Sequence, residues 1–491
     1  MADRLHALDA TFLELEEADL SAHMHIGAVI VFEPSPAPSV AAVAADLDTR
    51  LDALPRYRQR LSEPQTGGLS WPSWVEAPGF DVAAHVTRAR LPAPGGTAEL
   101  LEWAGTYFGE RLDRSRPLWE LVVVEGLADG RWALASKTHH CLVDGVGSVD
   151  AGAMLFDTEP GRRGPPRERS RDRRPAPVSE RPGGHSLPAR VLGRAGEAAL
   201  LPLRAGRAGV GVLGRGLDLV RHPDRGVDAL RRSRALAEVL VRDELIAAPR
   251  SSINVPIGGH RRLAVVVAPL AELKGIKDGL GGKLNDVVLA ASAGGLRALL
   301  LGRGEEPPAA GLRAMVPVNI RRDDESLELG NRISSLFVEL PVAEPDPLRR
   351  YRLQAAASRE HKEGGQSTGS RALIDLTAHA PPVVHSLLAR SMYATRLFNL
   401  TITNVPGPRT DVYAFGARAE EVWPIVPLAA EHAIGIAVLS YGGNACFCIN
   451  ADPDAVPDLA VLREGIAEAI AALAELAGAD GRGGERGRRA S

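Results

Sequence analysis

The sequence predicts an α+β protein built of two layered domains. Strand-like and helix-like stretches mix along the chain without a strict strand–helix–strand rhythm, which argues for sheets packed under helices. With 491 residues, 45% of them hydrophobic, the chain can bury more than one core. A basic break rich in Pro and Gly then divides it. The expected organisation is an N-terminal domain over 1–156, a disordered basic linker over 157–188 and a helical connector over 189–247. A second domain follows over 248–478, and a disordered polar tail over 479–491.

Residues 119–125 form a Val- and Leu-rich strand, Asp129-Gly130 is a dipeptide favoured in hairpin turns, and 131–139 form the returning strand. Gly145 and Gly147 permit a sharp turn, after which Ser148 can cap a helix to about Phe156. In the linker, Arg162, Arg163, Arg167, Arg169, Arg171, Arg173 and Arg174 occur with almost no apolar residues, as in a solvated spacer or a docking arm. Beyond it, Leu203, Val210, Leu213, Leu217 and Val220 recur at helical spacing opposite Arg204, Arg207 and Arg215. Such a stretch packs on the protein body or lies on a lipid surface, and its many glycines weaken it as a free-standing helix.

In the second half, 262–270, 312–319 and 334–340 read as strands and 285–300 as a helix. Residues 433–439 and 445–450 form a hairpin around Tyr441-Gly442-Gly443. Residues 457–477 form a closing helix, with Gly478 placed to stop it.

Composition excludes several function classes. The net charge of -3 implies no nucleic-acid role. Cys141, Cys446 and Cys448 are the three cysteines, too few and badly spaced for a disulfide framework. The early residues Asp3, Glu14, Glu16 and Glu17 do not follow the basic-then-apolar order of a signal peptide, and no stretch reaches the roughly 20 apolar residues that span a bilayer. A cytoplasmic protein that visits membranes is expected.

The chemistry centres on His139-His140-Cys141-Leu142-Val143-Asp144-Gly145, which sets imidazoles beside a carboxylate where a strand ends. Successive strand side chains point to opposite faces, so the two histidines cannot both face one cavity. Metal binding is not expected, because no further ligand lies near at suitable spacing. Cys141 is not expected to be a nucleophile, since its side chain and that of His140 diverge.

The chain resembles the bacterial wax ester synthase/acyl-CoA:diacylglycerol acyltransferase family, whose signature is His-His-x-x-x-Asp-Gly. The resemblance runs from Leu8-Asp9-Ala10-Thr11-Phe12 and Met24-His25-Ile26-Gly27, through Arg116-Pro117-Leu118-Trp119 and the histidine motif, to Leu284-Asn285-Asp286-Val287. It continues in Val316-Pro317-Val318-Asn319, Gly330-Asn331-Arg332-Ile333-Ser334, Thr403-Asn404-Val405-Pro406-Gly407-Pro408 and Ser440-Tyr441-Gly442-Gly443. Thr403 departs from the family's usual Ser but keeps the hydroxyl.

This resemblance implies two chloramphenicol-acetyltransferase-like domains with the active site in a tunnel between them. It also implies acyl-CoA-dependent O-acylation of diacylglycerol or a long-chain alcohol, giving triacylglycerol or wax esters through a ternary complex. Acyl-CoA is then a substrate, and no cofactor or metal is needed. By the same resemblance His140 is the general base and His139 supports it, while Asp144 and Gly145 hold the loop. Asn285 is the candidate oxyanion donor beside Asp286, although both residues are good helix caps in their own right. Pro117, Leu118 and Trp119 are expected to be structural, the indole anchoring the strand beneath the site. Peripheral association with a membrane or lipid droplet is expected. The alternatives are an acyltransferase for polyketide or glycolipid hydroxyls or for carrier-bound substrates, and a non-catalytic lipid-surface protein.

Overall fold

In a computed structural model, which describes residues 3–63, 71–143, 156–161, 248–319, 333–363 and 397–488, the hairpin that carries the histidines is the spine of the first sheet. The described residues fall within one compact unit, Met1–Gly164 with Arg242–Ser491. The first half holds β1 (Asp3–Arg4), α1 (Ala7–Ala18), β2 (His25–Phe32), α2 (Val40–Arg50), β3 (Gln59–Leu61) and β4 (Ser73–Glu76). It continues with β5 (Val86–Arg90), α3 (Thr97–Phe108), β6 (Trp119–Glu125) and β7 (Trp132–His139). The second half holds β8 (Arg262–Pro269), α4 (Leu270–Leu280), α5 (Leu284–Gly302), β9 (Leu312–Asn319), β10 (Ile333–Leu340) and α6 (Pro347–Glu363). Then come β11 (Leu400–Pro406), β12 (Tyr413–Ala414), β13 (Ala417–Ile425), β14 (Ile434–Tyr441), β15 (Asn444–Ala451) and α7 (Leu459–Arg488).

Two six-stranded sheets result, in the orders β12-β13-β2-β7-β6-β5 and β10-β9-β11-β14-β15-β8, beside a small sheet β1-β4-β3. This is the mixed α+β architecture expected. The predicted strands and the helix over 285–300 lie within a residue or two of the observed bounds. Asp129 and Gly130 turn the β6–β7 connection at φ 59° and 72°, a conformation that favours these residue types.

One strand pair departs from the order of the sequence. β12 and β13 come from beyond residue 400 yet extend the first sheet, with β13 antiparallel to β2 and Val422 opposite Ile30. The first sheet therefore draws on both halves of the chain.

The second sheet is covered by α4, α5 and α7, whose Leu273, Leu296 and Leu462 enter one core with Ile436 and Phe447 of the strands. Contact between α5 and α7 is close because Gly294 and Gly295 face Ala469 and Ile466, where added Cβ atoms would sit 2.6 and 2.5 Å from their neighbours. Among the described residues α5 alone is long and apolar enough to cross a membrane, and 72% of its most apolar 18-residue window is buried inside the protein.

Two expectations need correction. The closing helix does not stop at Gly478 but continues to Arg488, into the tail expected to be disordered, because each glycine costs a helix only about 1 kcal/mol and does not forbid helical geometry. The start of the expected disordered linker is also structured. Asp157 exchanges backbone hydrogen bonds of 2.9 and 2.8 Å with Tyr413 and accepts one of 2.9 Å from Arg50. The linker arginines from Arg162 to Arg174, the amphipathic stretch 203–220 and the helix expected from Ser148 lie outside the described residues, except for Phe156.

Candidate functional site

β7 alternates as its sequence requires: Leu134, Ser136 and Thr138 line a cavity, whereas Lys137 and His139 are buried elsewhere. His140, the residue after the strand, lines the cavity with its ring half-buried. The two histidines therefore separate, as alternation demands.

Their surroundings differ in kind. His140 stacks on Phe12 with ring centroids 3.9 Å apart and planes 7° from parallel. His139 has no exposed surface, its Nδ1 accepts the Cys141 backbone N–H at 3.1 Å, and its Nε2 lies 3.3 Å from Oε2 of Glu16. In neutral imidazole one nitrogen accepts and the other donates, so the proton of His139 is on Nε2 and is given to Glu16. Burial holds the His139 pKa below the usual histidine value. His139 is thus a fixed neutral brace.

Glu16 is the centre of this network. Its carboxylate accepts hydrogen bonds from Arg114 at 2.6 Å and Arg111 at 3.5 Å, and also lies 3.5 Å from His25. Burial pushes the Glu16 carboxyl up, but hydrogen bonds from His139 and His25 outweigh that and hold it well below the usual range. Phe12 and Glu16 are four residues apart on α1, hence on one face of the helix. That face meets both members of the histidine pair.

The turn after β7 is tied down by its backbone: His139 N–H donates to Leu118 at 3.0 Å, His140 N–H to Met24 at 2.8 Å and Leu142 N–H to His139 at 2.9 Å. Leu118 is fully buried, and Trp119 donates its indole N–H to the Tyr57 carbonyl at 2.8 Å and stacks on His85 at 4.6 Å. Pro117-Leu118-Trp119 is therefore the footing of the histidine turn, and Trp119 also lines the cavity. Burial pushes the Cys141 thiol well above its ordinary pKa, which removes the thiolate a nucleophile needs. Asp144 and Gly145 lie outside the described residues.

The cavity, of about 560 Å³, is walled by both large sheets. The first supplies Ile26, Ala28, Ile30 and Leu134, and the second supplies Thr403, Val405, Ala437 and Leu439. Val43 and Leu47 of α2 and Leu51, which caps it, add an apolar helical stripe. Apolar side chains make up most of the lining, and Asp46, Arg50, Glu120 and Asp157 are its charged members. Tyr57, hydrogen-bonded to Thr138, is pushed up to about 12 by burial and remains a donor. The Arg50 guanidinium is held between Asp46 at 2.8 Å and Asp157 at 2.9 Å. Among the described residues no cluster of three or more His, Cys, Asp or Glu side chains is arranged to hold a metal ion.

Asn285 and Asp286 have different tasks. Asp286 accepts the Lys283 backbone N–H at 2.8 Å and caps α5. Asn285 does not line the cavity; its Oδ1 accepts a long hydrogen bond of 3.5 Å from Asn404, which does. Residues 404–406 end strand β11, and the proline-flanked Gly407 follows it. Sequence reasoning missed Glu16 and Tyr57, and it quoted Phe12 and Asn404 within motifs without giving either a task. Only the helical i,i+4 spacing of Phe12 and Glu16 signalled a shared face.

Comparison with known proteins gives the family and the fold. Residues 5–288 match the wax ester synthase/diacylglycerol acyltransferase catalytic domain, and residues 329–474 match the C-terminal domain of the same family. A Mycobacterium tuberculosis protein named as a probable diacylglycerol O-acyltransferase is 32% identical over 473 residues, 96% of each chain. A second from the same organism, similarly named, is 30% identical over 466 residues, 92% of this chain and 94% of its own. Among solved structures, the wax ester synthase/diacylglycerol acyltransferase of Marinobacter aquaeolei matches with a TM-score of 0.64 at 24% identity, over 97% of this chain and 100% of that one. The first condensation domain of the calcium-dependent antibiotic synthetase matches at 0.61 and 16% identity, over 97% and 96%. These structures share the fold.

Proposed function

Because this chain belongs to the wax ester synthase/diacylglycerol acyltransferase family and is an acyltransferase, we propose that it moves an acyl group from acyl-CoA to the hydroxyl of diacylglycerol or a long-chain alcohol. One observation carries the reading: of the two histidines, His140 alone presents its ring to an apolar cavity, while His139 is spent on Glu16. A cavity of this size and lining suits an alkyl chain and excludes water from the reacting atoms.

In this mechanism both substrates are bound before reaction. His140 takes the proton from the hydroxyl as its oxygen attacks the thioester carbonyl, a contribution typically worth about 10² to 10⁴ in rate. The tetrahedral oxyanion then collapses, the carbon–sulfur bond breaks, and the leaving thiolate takes the proton back from His140. No acyl-enzyme forms, and no metal or cofactor takes part. Asn404, braced by Asn285, is the proposed donor to the oxyanion. Its acceptor being insoluble, the enzyme works at a membrane or lipid-droplet surface in the cytoplasm, with the basic linker and the stretch after it as anchor.

The test is His140→Ala with palmitoyl-CoA and a panel of diacylglycerol, monoacylglycerol and long-chain alcohols. Ester formation is expected to fall by at least about 10², with acyl-CoA binding retained. His139→Ala is expected to be milder. Near-normal turnover in His140→Ala overturns the base assignment.

A further inference from the structure

The cavity has an internal length scale. On β7 the residues facing it after His140 are Thr138, Ser136 and Leu134, and in the sheet register they pair with Ile26, Ala28 and Ile30 of β2. Strand residues advance about 3.3 Å each, so the Ser136–Ala28 pair lies about 13 Å and the Leu134–Ile30 pair about 20 Å from His140 along the strand. The next pair on the same face, Trp132 and Phe32, is stacked at 4.3 Å and fully buried. Phe156, which lines the cavity, lies 6.3 Å from the Phe32 ring and thickens this stop.

Side-chain size changes along the same path. Ile30 and Leu134 are large and buried, whereas the Ala28–Ser136 pair is small and only half-buried, although it lies in the middle of a six-stranded sheet. Surface remains on those two residues because they border the void.

We infer that this face of the first sheet is a measuring channel for the acyl chain of the donor, open at Ala28–Ser136 and ended by Ile30, Leu134 and the Phe32–Trp132 stack. The inference rests on the reading of His140 as the reacting end. A methylene advances about 1.25 Å, from the carbon–carbon bond length and tetrahedral angle, so 20 Å holds about 16 carbons and 13 Å about 10. A channel that ends on aromatic rings takes an unbranched chain whose only bulky substituent is at the reacting end. An acyl-CoA is such a molecule, whereas diacylglycerol brings two chains.

The experiment measures kcat/KM for acyl-CoAs from 8 to 20 carbons with one fixed acceptor, and for alcohols of the same lengths with one fixed donor, in the full chain. Each variant is read as a ratio between chain lengths, so a reduced folded fraction cancels. Ala28→Leu is expected to lower the ratio of 16-carbon to 8-carbon donor by more than about tenfold. Ser136→Leu should do the same, and Leu134→Ala should raise the ratio of 20-carbon to 16-carbon donor. Donor ratios unchanged in all three variants overturn the channel. Ratios that shift with alcohol length and not donor length overturn its assignment to the donor. Absence of transfer by the unaltered protein from any acyl-CoA in the series overturns the proposed function itself, and is recognised before any variant is compared.

Discussion

Acid should destabilise this protein steeply, and the histidines around Glu16 set the scale. Burial lowers His23 to about 4 and His25 to about 3 from an ordinary value of 6.5, and lowers His139 as well. All three side chains are buried, at 6%, 3% and 0% exposure. The folded protein therefore refuses protons that the unfolded chain accepts below pH 6.5. Stability is full above that pH and is lost as pH falls towards the folded values. Going from about pH 7.5 to about pH 5.5 protonates each unfolded histidine almost completely and costs about 1.4 kcal/mol for each of His23 and His25, or about 3 kcal/mol for the two, with His139 acting in the same direction. His85 and His432, also lowered by burial, act in the same direction. Glu16 adds to it only below its own ordinary value of 4.5, where the unfolded carboxylate takes up a proton that the folded one refuses. Urea unfolding at the two pH values measures the difference, and His25→Gln should shrink it by the contribution of one histidine. Stability that changes by less than about 1 kcal/mol over this range would refute the buried, neutral assignment.

Glu16→Gln should cost up to about 3 kcal/mol, because Arg114 and Arg111 lose their shared carboxylate but keep enough exposure to turn towards water. It should also slow turnover by about tenfold at unchanged KM as the His139 brace loosens. Steady-state kinetics with thermal melting checks both, and full activity would detach Glu16 from the site. Gly295→Val should lower stability by about 3 kcal/mol, since its first added carbon would already sit 2.5 Å from Ile466 and 2.8 Å from the Leu462 carbonyl. An unchanged melting temperature would contradict that packing. Reversing the charges of Arg162, Arg163, Arg167 and Arg169 should weaken binding to anionic vesicles and flatten its salt dependence, with activity on detergent-dispersed substrate retained. Unchanged vesicle binding would leave the segment a spacer.

What the sequence determined by itself was local. Strand-forming runs on either side of Asp129-Gly130 and of Gly442-Gly443 specify hairpins, because turn geometry and strand alternation act over a few residues. The same alternation required His139 and His140 to diverge, and the ordered motifs identified the acyltransferase family. Tertiary structure decided the rest. Which carboxylate holds His139 depended on α1, whose Glu16 is 123 residues away in sequence, and no local pattern encodes such a pairing. The placement of β13 beside β2 was equally hidden, since Val422 and Ile30 meet across the whole chain and pair through backbone groups that every residue carries. The functions of Asn285 and Asp286 separated for a similar reason. A cap is satisfied within one helical turn and can be read from sequence, whereas the contact of Asn285 with Asn404 exists only once β11 is packed beside α5.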